Sequence, residues 1–402
     1  MITGKRAEVS GPEAGFRREV RAWLEEVLPS DWGPRRRPAS TLAGRMKEGK
    51  AWQRMVYQGG FGGLGLPADF GGRPASATER LIFAEECARA RAPEPADIFG
   101  QFILAPTLLA LGTKEQKERF LPPIIRGEVM WCETFSEPDN GSDMANIQCR
   151  AELDGDELVV TGRKRWNSLS QFADWTMLLC RTGAPDSRGR GITFALVDLR
   201  SPGVRIETMP MLTGDDRETE VFWDEVRVPI ANVVSAVDDG WRVAMSAMTT
   251  QRSIGTAELV PRLAVVVEDL VELATRTTAA GGRPAIEDPF VRDGIARCAT
   301  DVAALRRTGE RAMAAAAMGS PLGPEVSIAK LHWSETEQRL HRLAVELLGL
   351  RGLLIRDDED AVDEGFWAHY WLWTHALTIH SGTSEIQRNI IAQRVLGLPV
   401  GR

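Results

Sequence analysis

Trp131-Cys132-Glu133-Thr134-Phe135-Ser136-Glu137-Pro138-Asp139-Asn140-Gly141-Ser142-Asp143 leads, through a strand-turn-strand pattern, into Lys164-Arg165-Trp166-Asn167-Ser168. Hydroxyls at Ser136, Ser142 and Ser168, with the backbone N–H groups beside them, offer hydrogen-bond donors, and no histidine accompanies them. That set suits holding a polar cofactor better than performing chemistry itself. Trp166, set among small polar residues after a strand, can lay its indole against a flat heterocycle while a neighbouring hydroxyl reaches the edge. A polar turn with a core tryptophan is the competing reading, because aromatic side chains are mostly buried.

Outward from this stretch the hydrophobic period changes on both sides. Ile147, Cys149, Ala151 and Leu153 alternate with polar neighbours, Asp154-Gly155-Asp156 makes a turn, and Leu158-Val159-Val160 returns as a strand. Further short strands are predicted at Trp175–Arg181, Ile192–Leu199, Val204–Thr208 and Glu220–Val228, with 183–190 as a mobile connection. Upstream the spacing is helical: Phe16, Val20, Trp23, Leu24, Val27 and Leu28 share one face of a helix from Pro12 to Leu28. A second helix precedes Gly59, and others are predicted at Thr78–Arg91 and Ile98–Leu111. Thr113 and Gln116 have capping-box spacing for a helix that Pro122-Pro123 should stop. Gly60, Gly62 and Gly65 satisfy GxGxxG, but a charged, helix-like segment precedes them and Pro67 follows, so they read as a compact turn and not a dinucleotide fingerprint.

Downstream, long helices are predicted at Trp241–Thr277, Pro289–Met318, Pro324–Leu348, Ala361–Leu377 and Thr383–Leu396, broken at Gly281-Gly282-Arg283-Pro284 and Gly319-Ser320-Pro321. The expected architecture is α+β: an N-terminal all-helical domain (1–129), a central, mostly antiparallel β domain (130–239) and a C-terminal four-helix bundle (240–402).

Composition narrows the function. A chain of 402 residues, 43% hydrophobic and 26% charged, is an ordinary globular protein. Its net charge of −7 and the lack of a dense basic run argue against nucleic acid; Arg35-Arg36-Arg37 reads as a surface turn. No apolar run reaches the length of a membrane span and Met1–Ala7 has no signal core, so a cytoplasmic protein without a membrane partner is expected. Five dispersed cysteines form no CxxC pair and five histidines form no HExxH, so no metal is expected.

The order helices, β domain, helical bundle carries a series of motifs. They are Gly63-Leu64-Gly65-Leu66-Pro67 through Gly71-Gly72, Gly112-Thr113 with Gln116-Lys117, and Ser136-Glu137-Pro138 with Gly141-Ser142-Asp143. Lys164 with Trp166, Val226, Val228 and Pro229, Gly240-Trp241, and Gly382-Thr383-Ser384-Glu385-Ile386-Gln387-Arg388 before Leu396-Gly397-Leu398-Pro399 complete it. Together, from about Phe16 to Pro399, they resemble the acyl-CoA dehydrogenase family. The resemblance implies FAD between the β domain and the bundle. Glu133, Thr134, Phe135, Ser136, Gly141 and Ser142 would touch the flavin and its ribityl chain. Trp166 and Asn167 would lie at the ring system, with Ser168 near the reactive ring nitrogen. Gly349 and Gly352 match a segment that a neighbouring chain brings to the pyrophosphate, and Thr383 and Glu385 match positions near the adenosine half. Ser142, Arg252 and Gly382 would meet an acyl-CoA or other acyl thioester, with Arg252 assisting CoA binding. The implied reaction removes hydrogen from Cα and Cβ: a carboxylate takes the α proton, hydride goes to the flavin, and the backbone N–H of Ser381 steadies the enolate oxygen. A homo- or hetero-oligomer, dimer or tetramer, and an electron-transfer flavoprotein or similar acceptor follow from the same resemblance.

The sequence departs from the family where the proton is taken. Its carboxylate stands either directly before the Gly-Thr of the C-terminal motif, here Ser381, or directly before the arginine of the first bundle helix, here Gln251. A hydroxyl and an amide do not accept a proton at neutral pH. The Arg-x-x-Phe-Gly element is also altered, to Arg276-Thr277-Thr278-Ala279-Ala280-Gly281. Three explanations compete. Asp97 takes over as a base with a raised pKa, although a helix N-cap is its simpler role. Alternatively, the chain is the base-less half of a heteromeric dehydrogenase, or the fold runs other flavin chemistry or only binds.

Overall fold

The structure, a computed structural model, describes residues 12–29, 38–279, 281–317, 323–324, 326–356 and 358–399, without the side chains of residues 12, 250–258 and 313–317. Arg35-Arg36-Arg37, Met1–Ala7 and the break at Gly319-Ser320-Pro321 lie outside the described residues.

The N-terminal helices are α1 (Pro12–Val27), α2 (Leu42–Gln58), α3 (Ala77–Arg89), α4 (Ala105–Leu111) and α5 (Lys114–Arg126). The face predicted for α1 packs through Phe16, Val20 and Leu24 onto Trp52 and Ile82. Two expectations fail here. Ile98–Leu111 is not one α-helix, because residues 100–104 form a π turn before α4. Nor do Pro122 and Pro123 stop α5: the Thr113/Gln116 capping box starts it and Gly127, at φ 67°, ends it. Burying Phe120, Leu121, Ile124 and Ile125 around the prolines, at about 1.5–3 kcal/mol per side chain, outweighs about 3 kcal/mol per interior proline. The glycine-rich segment after α2 is a tight turn closed by a bridge between Leu64 and Arg73.

Seven strands form one sheet: β1 (Trp131–Thr134), β2 (Arg150–Asp154), β3 (Glu157–Arg165), β4 (Trp175–Arg181), β5 (Ile192–Asp198), β6 (Val204–Met209) and β7 (Glu218–Pro229). Their order is β1-β4-β2-β3-β7-β6, with β5 on β4. Only β1 with β4 and the single β2–β4 bridge are parallel. The β2–β3 hairpin turns at Gly155, as its Asp-Gly-Asp predicts. β1 was too short to show a period, and it is the strand that aims the opening stretch.

The C-terminal part comprises α6 (Gly240–Arg276), α7 (Pro289–Ala317), α8 (Val326–Leu348), α9 (Phe366–Leu377) and α10 (Ser384–Ile390). Residues 361–365 are not part of α9, and a π turn follows α10, so the predicted helix boundaries there are too generous. Leu263, Leu270, Leu305, Leu340 and Trp367 fill the core among α6, α7, α8 and α9. A second core joins the three parts: Leu104, Leu108 and Phe120 meet Trp131, Met177 and Phe194 of the sheet and Val243 and Ala247 of α6. The rim of the sheet is thereby held against helices on both sides. Among the described residues no helix is long and apolar enough to cross a membrane.

Candidate functional site

The segments 131–143 and 164–168 meet at the end of the sheet through backbone bonds. Arg165 N–H donates to Ser136 O at 2.9 Å, Asn167 N–H to Thr219 O at 3.1 Å, and Leu169 N–H to Arg217 O at 2.8 Å. Asn167 Nδ2 donates to Glu133 O at 3.3 Å, and Thr219 Oγ1 to Asn167 O at 2.8 Å. Beneath them lies a buried ion pair. Lys164 Nζ donates to Phe135 O at 3.0 Å and to Glu137 Oε1 at 2.8 Å, while Glu137 also accepts from the N–H groups of Gln148 and Cys149. With every partner in place, the pair tolerates the loss of water and locks the Ser136-Glu137-Pro138 turn onto β3. Glu137 and Lys164 are thus structural.

Trp166 is 52% exposed and has φ 66°. The core-tryptophan reading therefore fails, and a bulky residue in the left-handed region carries strain that marks functional sites. Arg165 lies over the indole at 5.0 Å, leaving the ring presented at the surface. Ser168 Oγ donates to Glu218 Oε1 at 2.7 Å. Asn167 is 1% exposed, yet its Oδ1 has no hydrogen-bond partner. A half-exposed flat ring beside an orphaned buried acceptor, which a ring N–H would satisfy, fits a flavin.

Other sequence candidates divide. The side chains of Thr134 and Phe135 are spent inside: Thr134 Oγ1 bonds Met177 O at 3.2 Å and Phe135 stacks edge-on to Phe194 at 5.8 Å, so only their backbones face a ligand. Gly141 and Ser142 are exposed; beside them Asp143 accepts at 3.1 Å from Arg188, which lines a cavity of about 470 Å³ together with Arg190 and Arg242 and with Asp186, Asp238 and Asp239. Periodicity did not reveal this charged wall, because its residues come from the 185–191 turn and from the start of α6 with the loop before it. Gly349, at φ 57°, and Gly352 sit in a turn after α8, away from the sheet rim. Thr383 caps α10 by accepting from Ile386 N–H at 3.2 Å. With Glu385 it lines a second cavity, of about 450 Å³, where the buried Ser384 Oγ has no partner.

Ser381 and Gly382 both have positive φ, 54° and 88°. Gln387 Nε2 donates to their carbonyls at 3.1 and 3.0 Å, and among the described residues the Ser381 N–H meets no acceptor. This turn is tied to the sheet rim by Arg217, adjacent to Glu218, which lies 4.7 Å over the ring of Trp373; that ring neighbours His380 at 6.2 Å. Gln251 and Arg252 fall on α6, but their side chains lie outside the described residues. Asp97 is buried. Its Oδ1 accepts from Trp131 N–H at 2.8 Å and Gly100 N–H at 2.9 Å, while Oδ2 has no partner. Burial pushes its carboxyl up to about 7, against those two hydrogen bonds. Burial, and then the neighbouring Glu218, likewise hold Glu133 up, to about 7. The described cysteines are buried and form no disulfide, and no metal-binding cluster occurs among the described residues.

Three family profiles match in chain order: acyl-CoA dehydrogenase N-terminal domain over residues 13–128, middle domain over 132–226 and C-terminal domain over 238–396. The chain is 39% identical over 397 residues to the acyl-CoA dehydrogenase IpdE1 of Mycobacterium tuberculosis, covering 96% of this chain and 97% of that one. Among solved structures, the Tcur3481-Tcur3483 steroid ACAD matches with TM-score 0.84 and 28% identity over 97% of this chain and 98% of the other. The ChsE4-ChsE5 complex from Mycobacterium tuberculosis matches with TM-score 0.79 and 28% identity over 98% and 100%. With all three parts matched and full-length relatives alike in sequence and shape, the chain belongs to the acyl-CoA dehydrogenase family, FAD-dependent oxidoreductases acting on CH–CH groups.

Proposed function

We propose that this chain is the flavin-holding, base-less subunit of a heteromeric acyl-thioester dehydrogenase, in which a sister chain of the same fold supplies the carboxylate. One observation carries the reading: Trp166, Asn167 and Ser168 fit a flavin, while a hydroxyl and an amide, Ser381 and Gln251, stand at the two positions where the resemblance expects the proton acceptor. When bound, FAD supplies the hydride acceptor. Trp166 would lie against the ring, Ser168 and Asn167 would hold its edge, and the N–H of Ser381 would donate to a thioester oxygen. Relatives described as two-chain complexes, one of them a steroid ACAD, support both the heteromer and a bulky, ring-bearing acyl group. The exposed Leu350, Leu353 and Ile355 beside Gly349 and Gly352 give such a sister chain an apolar surface to cover.

Asp97 supports a second reading, as an internal base, because its Oδ2 is unpartnered and its pKa is raised. The two readings separate in anaerobic bleaching of the flavin absorbance by a panel of acyl thioesters. The purified chain alone should be yellow and fail to bleach, and co-expression with a family member carrying glutamate before its Gly-Thr should restore bleaching. Full bleaching by the chain alone would overturn the heteromer.

A further inference from the structure

Helix α9 ends on carbonyls that find no partner within the helix, and their bonds account for the shape of the turn that follows. His375 O accepts from Thr378 Oγ1 at 3.0 Å, Ala376 O from the N–H groups of Ile379 and His380 at 2.9 Å each, and Thr378 O from Ser384 N–H at 2.9 Å. Leu377 O is met from a different helix: Lys330 of α8, 2% exposed, donates to it through Nζ at 2.8 Å. Trp333, one turn further along α8, packs beside the His380 ring with the centroids 6.3 Å apart, and His380 Nδ1 lies 3.1 Å from Ser381 Oγ. On the far side of the turn the buried Gln387 of α10 grips Ser381 O and Gly382 O. The turn is thus clamped at both ends by buried side chains, one of them a lysine. A buried ammonium persists only where negative potential surrounds it, and the carbonyl end of a helix supplies that potential. The other charges facing the turn are engaged or in water: Glu335 pairs with Arg388, Arg217 lies 4.7 Å over the ring of Trp373, and Glu385 is exposed at the start of α10.

We propose that Lys330 is a positioning residue that makes the turn at Ser381 fit to hold a negatively charged thioester oxygen. The inference rests on the reading above that the Ser381 N–H donates to that oxygen. Without the lysine, the negative end of α9 stands at Leu377, shortly before Ser381, and opposes an oxyanion there; with it, that end carries a cation. The same bond fixes the direction in which the chain leaves α9, and together with Gln387 it holds Ser381 at its φ of 54°. Loss of the α proton puts a full negative charge on the oxygen of the enolate, whereas an intact thioester carries only a partial one. Lys330 therefore favours the enolate over the thioester, and does not act on binding as such.

The test needs no base in the chain, because ionisation of a bound 3-oxoacyl thioester is an equilibrium in which the α C–H gives its proton to solvent and leaves an enolate. Acetoacetyl-CoA and butyryl-CoA are titrated at one pH into the FAD-loaded full chain, with its sister chain if one is needed, and the enolate is read from its near-ultraviolet absorbance. Lys330→Met should hold about tenfold less enolate relative to neutral ligand than the wild type, within the range of a charge at a helix end, while its affinity for butyryl-CoA, which does not ionise, changes less than about twofold. Lys330→Arg, which keeps the cation, should recover most of the enolate. Should the methionine variant not fold, Lys330→Gln, a donor without charge, takes its place and should fall below Lys330→Arg in enolate. Equal enolate in the wild type and the charge-free variant overturns the proposal, and so does an equal loss of affinity for both ligands, which marks a purely structural cap. A wild type that binds acetoacetyl-CoA no more ionised than it is in water overturns the oxygen site at Ser381 and this role with it. Binding of neither thioester by the FAD-loaded wild type overturns the acyl-thioester reading itself.

Discussion

The sheet rim at 131–168 and the turn at 380–383 are linked by Arg217 over Trp373, yet they are built differently. At the rim, each polar group is held by several others: Lys164 by Phe135 O and Glu137, Asn167 by Glu133 O and Thr219, Ser168 by Glu218. At the turn, Gln387 grips the carbonyls of Ser381 and Gly382, while the side chain at the position we propose for a proton acceptor is a hydroxyl. Holding a cofactor depends on many cooperating contacts, whereas accepting a proton depends on one atom of the right kind. The second can be lost while the first stays intact.

The largest effect should come from putting the acid back. Ser381→Glu, on a turn already shaped for it, should speed anaerobic flavin bleaching by an acyl thioester at least about 100-fold, the lower end of what a positioned base contributes. No gain in a variant that still binds FAD would mean that the turn has lost more than its carboxylate. On the rim side, Lys164→Met leaves Glu137 as an uncompensated buried charge and should cost about 3–5 kcal/mol in a denaturant titration. A change within about 0.5 kcal/mol, as at an ordinary surface site, would show that the rim is not held cooperatively.

A smaller effect separates the roles of Asp97. Its folded pKa, about 7, lies above its ordinary 3.8. Between these values the folded state keeps a proton that the unfolded chain has lost. The resulting stabilisation is complete below about pH 4 and disappears as pH rises to about 7. Asp97→Asn keeps an acceptor for Trp131 and Gly100 but does not titrate, so its unfolding midpoint should change less with pH than that of the wild type over this window. Abolished flavin reduction in a normally folded, FAD-loaded Asp97→Asn protein would instead make Asp97 the base.

Much of the architecture was legible because it rests on local periodicity. Strand β4 falls on the predicted residues, α1 ends one residue early, and the capping box at Thr113 forms as its spacing requires. Errors occurred where packing overruled local preference. Pro122 and Pro123 stay helical because the side chains around them are buried, and the π turn at 100–104 ends a regular helix that spacing alone would continue. At the site, the sequence singled out Trp166 and Ser168. It gave no sign that Glu218 would hold Ser168, since 50 positions separate them.

From the sequence alone came the family, the order of the three parts and the absence of a carboxylate at Ser381 and Gln251, since residue identity and spacing carry these directly. Only tertiary structure decided that Trp166 is presented and not buried, that Thr134 and Phe135 turn inward, and that the distant Glu218 holds Ser168. Such facts depend on which strand lies beside which and on how much water is left between them, and no local pattern of residues encodes either.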